Sequence, residues 1–242
     1  MANKKFTKFD WNTPKIVATL LKGKDAERLY NEIQSDNKKF GKNSNLGFIG
    51  YQNGEVVGST SLRSGQINYK LRNSGIRTAV PEDDVGGDIF NLIRGKGYTD
   101  FNAYVVHNKK PNYKKNEGLW VKTNELIEKI NGSVPAHSMI QSFYTLPDKN
   151  EMTYGVKIIP TPNFKIFDDD RVSGKYHRWR FDNVDEKGLP INLDKSKGKK
   201  TFYTRDEGLS RVFLDGNGGL NVWGDSLEYS NDGGRVVAVS DA

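Results

Sequence analysis

Residues 201–223 read TFYTRDEGLSRVFLDGNGGLNVW, and this stretch decides the fold class. Three short runs rich in β-branched and aromatic residues, 201–204, 209–214 and 220–223, are separated by polar turn clusters. One of these clusters, at 215–219, is Asp-Gly-Asn-Gly-Gly. Runs of this kind predict strands, because Gly and Asn supply the positive φ that tight connections need. The stretch therefore predicts an antiparallel β unit.

The same pattern continues over the last third of the chain, from about residue 145. We predict further strands at 153–159, 164–167, 175–181 and 236–239, with turns at Pro160-Thr161-Pro162 and Asp168-Asp169-Asp170. Short strands at regular spacing are typical of a sandwich or a barrel-like unit.

The first part of the chain mixes helix and hairpin patterns. Thr13-Pro14 predicts a helix start, with Ile16, Val17, Leu20 and Leu21 on one face, and Asp25 caps a second helix with Ala26, Leu29, Tyr30 and Ile33 as its buried stripe. Asn53-Gly54 between two apolar runs predicts a hairpin over 46–61, because both residues tolerate positive φ.

Further along, the patterns predict a strand at 66–71, a short helix from Asp84 to Ile93, strands at 101–106 and 118–122, and a helix at 124–131 that ends at Gly132. The expected fold class is α+β. A mixed helix and hairpin portion (1–147) precedes a C-terminal antiparallel portion that resembles a sandwich or barrel (148–242). The two portions can equally form one integrated domain.

Composition limits the class of protein. The 242 residues include 12 Phe, 11 Tyr and 4 Trp, an aromatic content that argues against disorder. The chain has no cysteine, which excludes disulfides, cysteine-ligated zinc and a thiol nucleophile. No apolar run approaches the roughly 18–20 residues of a membrane span, and the first residues lack the apolar stretch of a secretory signal. We therefore expect no membrane association and a location in the cytoplasm or in a virion.

The net charge of +7 is unevenly distributed. Residues 1–150 carry 23 Lys+Arg against 15 Asp+Glu, and residues 151–242 carry 14 against 15, which leaves +8 in the first part and −1 in the second. A localised positive charge of this kind indicates a polyanionic partner, such as nucleic acid or an acidic protein surface.

Two lysine-rich segments account for most of this excess. Each mixes cations with an aromatic residue, so that ammonium groups can contact phosphates while a ring stacks on a base. A solvated loop that contributes only solubility is the alternative reading of any such charge run. The candidate binding residues are Lys38, Lys39 and Lys42, beside Phe40, and Lys109, Lys110, Tyr113, Lys114 and Lys115.

A third candidate is the segment 175–182, Lys-Tyr-His-Arg-Trp-Arg-Phe-Asp. As a strand it places His177, Trp179 and Phe181 on one face, which we interpret as core. Arg178 and Arg180 then lie on the opposite face, with Tyr176 and Asp182, and form either an anion-binding face or a ladder of ion pairs. Catalysis by His177 with these arginines requires convergent groups, and alternation points the histidine away from them.

No residue pattern predicts a catalytic site, a metal site or a cofactor. The three histidines lack metal-ligand spacing, and the adjacent carboxylates at 168–170 are interpreted as a polar turn.

The leading hypothesis is a non-catalytic binding protein whose basic N-terminal portion engages a polyanion, above all nucleic acid. The alternative is a structural or interaction protein, such as a virion, tail or surface component, which would form a homo-oligomer. A second alternative is a metal-independent nuclease that uses His177 with Arg178 or Arg180.

Overall fold

The computed structural model describes residues 17–37, 46–151 and 153–240. Within these ranges the α-helices are α1 (Gly23–Asn37), α2 (Ser61–Leu71), α3 (Asp88–Ile93) and α4 (Glu117–Asn131). The strands are β1 (Val17–Leu20), β2 (Gly50–Gln52), β3 (Glu55–Val57), β4 (Ile76–Thr78), β5 (Tyr98–His107), β6 (His137–Pro147), β7 (Val156–Asp168), β8 (Trp179–Phe181), β9 (Lys200–Thr204), β10 (Leu209–Asp215), β11 (Gly219–Val222), β12 (Gly234–Arg235) and β13 (Val237–Ser240).

The strands form two sheets, and with the four helices they confirm the α+β class. A small antiparallel sheet has the order β1-β13-β4. The large sheet has the strand order β2-β3-β12-β5-β10-β11-β9-β8. Two further strands belong to it: β6 pairs with β5, and β7 pairs with β6. Pairing in the large sheet is antiparallel except at β12–β5 and β11–β9, which are parallel. Over the described ranges no closed barrel is found.

The large sheet contains strands from both portions of the sequence. β5 pairs with β10 from Val106↔Leu209 to Tyr98↔Asp215, so hydrogen bonds join chain segments on either side of residue 147. The division into 1–147 and 148–242 remains a prediction, but any function of this sheet draws on both portions.

One face of the sheet is buried and the other is partly open. Val212 and Leu214 on β10, and Leu220 and Val222 on β11, are buried in the main apolar cluster. Because successive side chains on a strand point to opposite faces, the intervening residues of these strands face outward. The candidate site lies on this outward face.

The hairpin, the second helix and the strand at 101–106 of the N-terminal portion were predicted correctly, and the short helix predicted from Asp84 is present as α3. The hairpin forms as β2 and β3, with Asn53 and Gly54 at φ of 52° and 81°. Helix α1 buries Ala26, Leu29 and Ile33.

The helix predicted to start at Thr13-Pro14 is wrong where the structure describes it. Residues 17–20 form β1, which pairs along its whole length with β13. The apolar spacing fits either element, and hydrogen bonding to β13 selects the strand. The predicted helix start itself lies outside the described residues.

Two predicted strands are helical. Residues 66–71 belong to α2, in which every residue from 61 to 68 is buried, so its apolar residues are not confined to one face as in a surface helix. Residues 118–122 belong to α4, where Leu119, Thr123 and Ile127 form one buried stripe at helical spacing. The helix predicted at 124–131 is therefore the second half of a longer helix, and Gly132 ends it at φ 76°.

The turn predicted at Pro160-Thr161-Pro162 is wrong, because these residues lie within β7. Among the described strands β7 pairs only with β6, and it forms an edge of the sheet. Proline is tolerated there, since its missing N–H group can face outward from the ladder.

The strand predicted at 175–181 is shortened to β8 (Trp179–Phe181). Residues Gly174–Tyr176 form a 3-10 turn, and Arg178 adopts a φ of 64°, which breaks the strand alternation. Phe181 is buried in the core as predicted.

Candidate ligand-binding cleft

The lysine loop at 108–115 is held against the protein by ion pairs. Lys109 lies 3.6 Å from Glu207, Lys110 lies 2.7 Å from Glu117, and Lys115 pairs with Glu228. These carboxylates neutralise much of the charge that the sequence assigns to the loop. Within the described part of the chain, Lys114 has no ion-pair partner, and Tyr113 is exposed.

The lysine loop also contacts the segment that follows β11. Asn116, next to Lys115, donates from its Nδ2 to the Asp225 carbonyl at 2.5 Å. Lys115 binds Glu228 in the same segment. The loop thus fixes one wall of the cleft described below. The other predicted lysines, Lys38, Lys39 and Lys42, lie outside the described residues.

The arginines of the third candidate segment take separate roles. Arg178 is exposed. Arg180 lies in β8 and donates from Nη1 to Thr201 Oγ1 at 3.0 Å and from Nη2 to the Gly198 carbonyl at 2.9 Å. His177 bonds through Nδ1 to the Thr204 carbonyl at 2.8 Å. Among the described residues, no hydrogen bond or ion pair joins this histidine to either arginine, which gives no support to the nuclease hypothesis.

An open cleft of about 400 Å³ lies on the outward face, where β5, β10 and β11 meet the segment that follows β11. We call it the aromatic cleft. Four aromatic rings line it, together with four polar or charged residues and one glycine. These residues are Tyr98, Arg211, Phe213, Asn221, Trp223, Gly224, Asp225, Ser226 and Tyr229.

The strand register explains why these side chains meet. Phe213 is opposite Asn221 on β11, and Asn221 is opposite Tyr203 on β9. On the other side, Phe213 is opposite Asp100 on β5. The pairing therefore lines up one transverse row, Tyr203–Asn221–Phe213–Asp100, on the outward face.

A buried ion pair forms the floor of the aromatic cleft. Arg211 donates from Nε and Nη2 to the two oxygens of Asp100, at 2.8 and 2.6 Å, and the Ser59 hydroxyl donates to the same carboxylate at 2.9 Å. Burial by itself disfavours the charged guanidinium, but the attraction of Asp100 holds the pKa of Arg211 above its ordinary value. A bidentate pair with these bonds fixes the orientation of the arginine.

The fixed guanidinium supports the aromatic walls. Its Cζ lies 4.5 Å from the ring centre of Phe213, 5.3 Å from that of Tyr98 and 5.5 Å from that of Tyr229. These distances are in the range of cation–π contacts. Burial, followed by the nearby Asp100 charge, raises the pKa of Tyr98, so its phenol stays neutral at physiological pH.

The outer wall continues as a row of stacked rings. Tyr203 and Trp223 lie nearly parallel, with an interplanar angle of 15° and centres 6.4 Å apart. His177 packs edge-on against Trp223 at 4.8 Å. Trp223 and Tyr229 nevertheless remain 46% and 56% exposed, so large ring surfaces face solvent beside an open cleft.

A second, more polar cleft of about 490 Å³ adjoins the first and shares Phe213 and Asn221 with it. We call it the polar cleft. Its remaining lining residues are Arg180, Lys199, Thr201, Tyr203, Asp215, Asn217, Gly218 and Gly219.

Of the predicted site residues that the structure describes, only Arg180 lies in either cleft. The aromatic cleft was missed, although part of its signal was present. Strand alternation in the predicted strands 209–214 and 220–223 places Phe213, Asn221 and Trp223 on the face opposite the apolar residues. The pairing order that brings Tyr98 and Tyr229 beside them cannot be read from the sequence.

The described ranges contain no group of three His, Asp or Glu side chains arranged to hold a metal ion. Nor do they include a helix with the length and apolar character needed to cross a membrane.

Comparison of the chain with family models, curated proteins and solved structures finds no match. The geometry and chemistry of the two clefts are therefore the features that indicate a function.

Proposed function

We propose that this chain is a binding protein for single-stranded nucleic acid and that the aromatic cleft stacks its bases. The exposed rings of Trp223 and Tyr229, which border an open cleft, carry this proposal. Large aromatic surfaces left in solvent are costly unless a partner covers them. Aromatic side chains on a sheet are a recurrent platform for unpaired bases, because every base has a π face.

The polar groups of the aromatic cleft suit the edges of a base. Asn221 supplies both a donor and an acceptor, Asp225 supplies an acceptor, and Ser226 supplies a hydroxyl that does either. Unpaired bases present their Watson–Crick edges to such groups, whereas in a duplex those edges are occupied by base pairing. This composition supports a single-stranded ligand in preference to a duplex.

In this proposal the basic N-terminal portion supplies attraction at long range. A net charge of +7 draws a polyanion toward the protein and makes binding sensitive to salt. The lysine loop lies beside the aromatic cleft, because it touches the segment that carries Asp225 and Glu228. Its ion pairs leave most of its ammonium groups engaged with carboxylates, so we assign the close contacts to the aromatic cleft.

The test is a titration with a short oligothymidylate at low salt, followed through the intrinsic tryptophan fluorescence and by anisotropy of a labelled strand. We expect Trp223→Ala to weaken binding by about five- to hundredfold, since one base stack is worth about 1–3 kcal/mol. Tyr113→Ala is the matched control, because Tyr113 is also an exposed ring but lies on the lysine loop. We expect its effect to be several times smaller.

Three results would contradict the proposal. One is the absence of oligonucleotide binding at low salt. Another is a loss of affinity in Tyr113→Ala with none in Trp223→Ala, which would move the contact to the lysine loop. The third is binding of neutral oligosaccharides without binding of oligonucleotides, which would assign the aromatic cleft to sugars.

A further inference from the structure

The polar cleft contains the guanidinium of Arg180, a fixed cation that has no carboxylate partner among the described residues. The guanidinium of Arg180 is held by the Gly198 carbonyl, at 3.1 Å from Nε and 2.9 Å from Nη2, and by Thr201 Oγ1. These acceptors are neutral. Asp194 is hydrogen-bonded to Arg180 through backbone groups only. Its carboxylate does not contact the guanidinium but accepts hydrogen bonds from the backbone amides of Ser196 and Lys197.

The hydrogen bonds of Arg180 orient it without neutralising it. In the described part of the chain no ion pair involves this side chain. A guanidinium that is already positioned loses little conformational entropy when an anion binds, and its planar fork matches phosphate geometry. These properties favour a phosphate ligand.

A second cation lines the same cleft. Lys199 is exposed, and among the described residues its ammonium group has no ion-pair partner. One carboxylate, that of Asp215, also lines the cleft, and its Oδ1 accepts the Asn217 amide at 2.8 Å. In the part of the chain that the structure describes, the lining therefore carries two cations against one anion.

Glycine keeps the floor of the polar cleft open. A Cβ atom on Gly219 would lie 3.3 Å from Asn221 Nδ2 and 3.5 Å from Tyr203 Cε2. Any larger side chain at this position would fill the space between the two clefts.

The two clefts are spaced along the same strands. Arg180 is opposite Thr201, and Thr201 is opposite Gly219, which forms a second transverse row. This row lies two residues along β9 from the row that contains Tyr203, a separation of about 7 Å. The spacing is of the size of one nucleotide.

We infer that the polar cleft binds the backbone phosphate of the nucleotide whose base lies in the aromatic cleft, through Arg180 and Lys199. The inference rests on the proposed function and adds the group that the neighbouring cleft recognises. It makes the outward face of β8, β9, β10 and β11 one continuous surface for a nucleotide.

The experiment measures how the affinity for oligothymidylate depends on salt. For single strands, each phosphate contact contributes about −0.7 to the slope of log K against log salt concentration. We expect Lys199→Gln and Arg180→Gln each to make the slope shallower by up to about 0.7. Arg180→Lys, which keeps the charge, should preserve most of the slope. Lys197→Gln is the control, because Lys197 is a nearby exposed lysine that does not line the cleft.

The outcomes separate the two proposals. If Trp223→Ala lowers affinity while Lys199→Gln and Arg180→Gln keep the wild-type slope, the phosphate site is wrong and the aromatic cleft stands. An equal change of slope in Lys197→Gln also overturns the site, because the effect would then reflect general charge. If Trp223→Ala leaves the affinity for oligothymidylate unchanged, base stacking in the aromatic cleft is wrong, and the phosphate site that rests on it is wrong too. Thermal unfolding shows whether Arg180→Gln still folds. If it does not, the salt slope of Lys199→Gln alone tests the phosphate site.

Discussion

At the scale of single residues, His107 shows how the fold changes the chemistry of a side chain. Its ring is fully buried at the end of β5, with Nδ1 3.0 Å from His137 Nδ1 and Nε2 3.2 Å from Ser210 Oγ. Burial above all, and then repulsion from His137 and Arg205, lowers its pKa to about 3. The ring therefore stays neutral in the folded protein at any physiological pH.

This lowered pKa predicts a loss of stability in acid. Between about pH 6.5 and pH 3 the unfolded chain protonates His107 while the folded chain does not, so the free energy of unfolding falls as the pH falls. The expected contribution is on the order of 3 kcal/mol between pH 6.5 and pH 4. Urea unfolding across this range should show a smaller fall in His107→Gln than in the wild type. An equal fall in both would mean that other groups cause the acid sensitivity.

The sequence predicts the position of His107 but not its neighbours. Its place at the end of a strand follows from the apolar run before it. His137 and Ser210 are separated from it by 30 and 103 residues and meet it only through strand pairing. A shift in pKa is therefore beyond prediction from a single sequence, because it depends on contacts that are distant along the chain.

At the scale of elements, α2 is the helix that the sequence pattern failed to predict. Its buried residues include Ser61, Arg63, Ser64 and Gln66, so it lacks the polar outer face of an ordinary surface helix. The start of the helix is marked by Thr60, whose hydroxyl accepts the Arg63 amide at 2.9 Å. This capping residue was the local signal that could have identified the helix.

Gly65 provides the test of how tightly α2 is packed. In an exposed helix, Gly→Ala stabilises by about 1 kcal/mol. Here an added Cβ would lie 2.8 Å from Phe143 Cε2 and still closer to Thr145 Oγ1. We expect Gly65→Ala to reduce the free energy of unfolding by about 1–3 kcal/mol, the usual cost of overpacking.

Gly86→Ala is the comparison for this variant, because the nearest atom to a Cβ there is Asp88 Oδ2 at 3.8 Å. Denaturant unfolding should place this variant within about 0.5 kcal/mol of the wild type. A Gly65→Ala protein as stable as the wild type would show that Phe143 and Thr145 do not lie against Gly65 as described.

Elements with strong local signals are the ones that the sequence predicts well. Asn53-Gly54 identifies the hairpin and Gly132 identifies the end of α4, because positive φ is a property of those residues themselves. The strand β1 was predicted as a helix because its identity depends on pairing with β13, some 220 residues away.

At the scale of the whole molecule, the candidate site follows from strand order. Tyr98, Phe213, Trp223 and Tyr229 come together because β10 lies between β5 and β11. The sequence identifies the lysine loop because charge is visible in composition alone. The ion pairs of this loop with Glu207 and Glu228 depend on the fold. Because these ion pairs engage the lysines, we assign the ligand contacts to the aromatic cleft.

The most direct test of the account is to locate the contact on the protein. An oligothymidylate that carries a photoreactive thymine analogue would be cross-linked to the intact chain and the adduct mapped by mass spectrometry. We predict adducts on residues of the aromatic cleft, chiefly Trp223 and Tyr229. Adducts confined to the lysine loop at 108–115, or no adduct at saturating oligonucleotide, would contradict the binding of bases in the aromatic cleft.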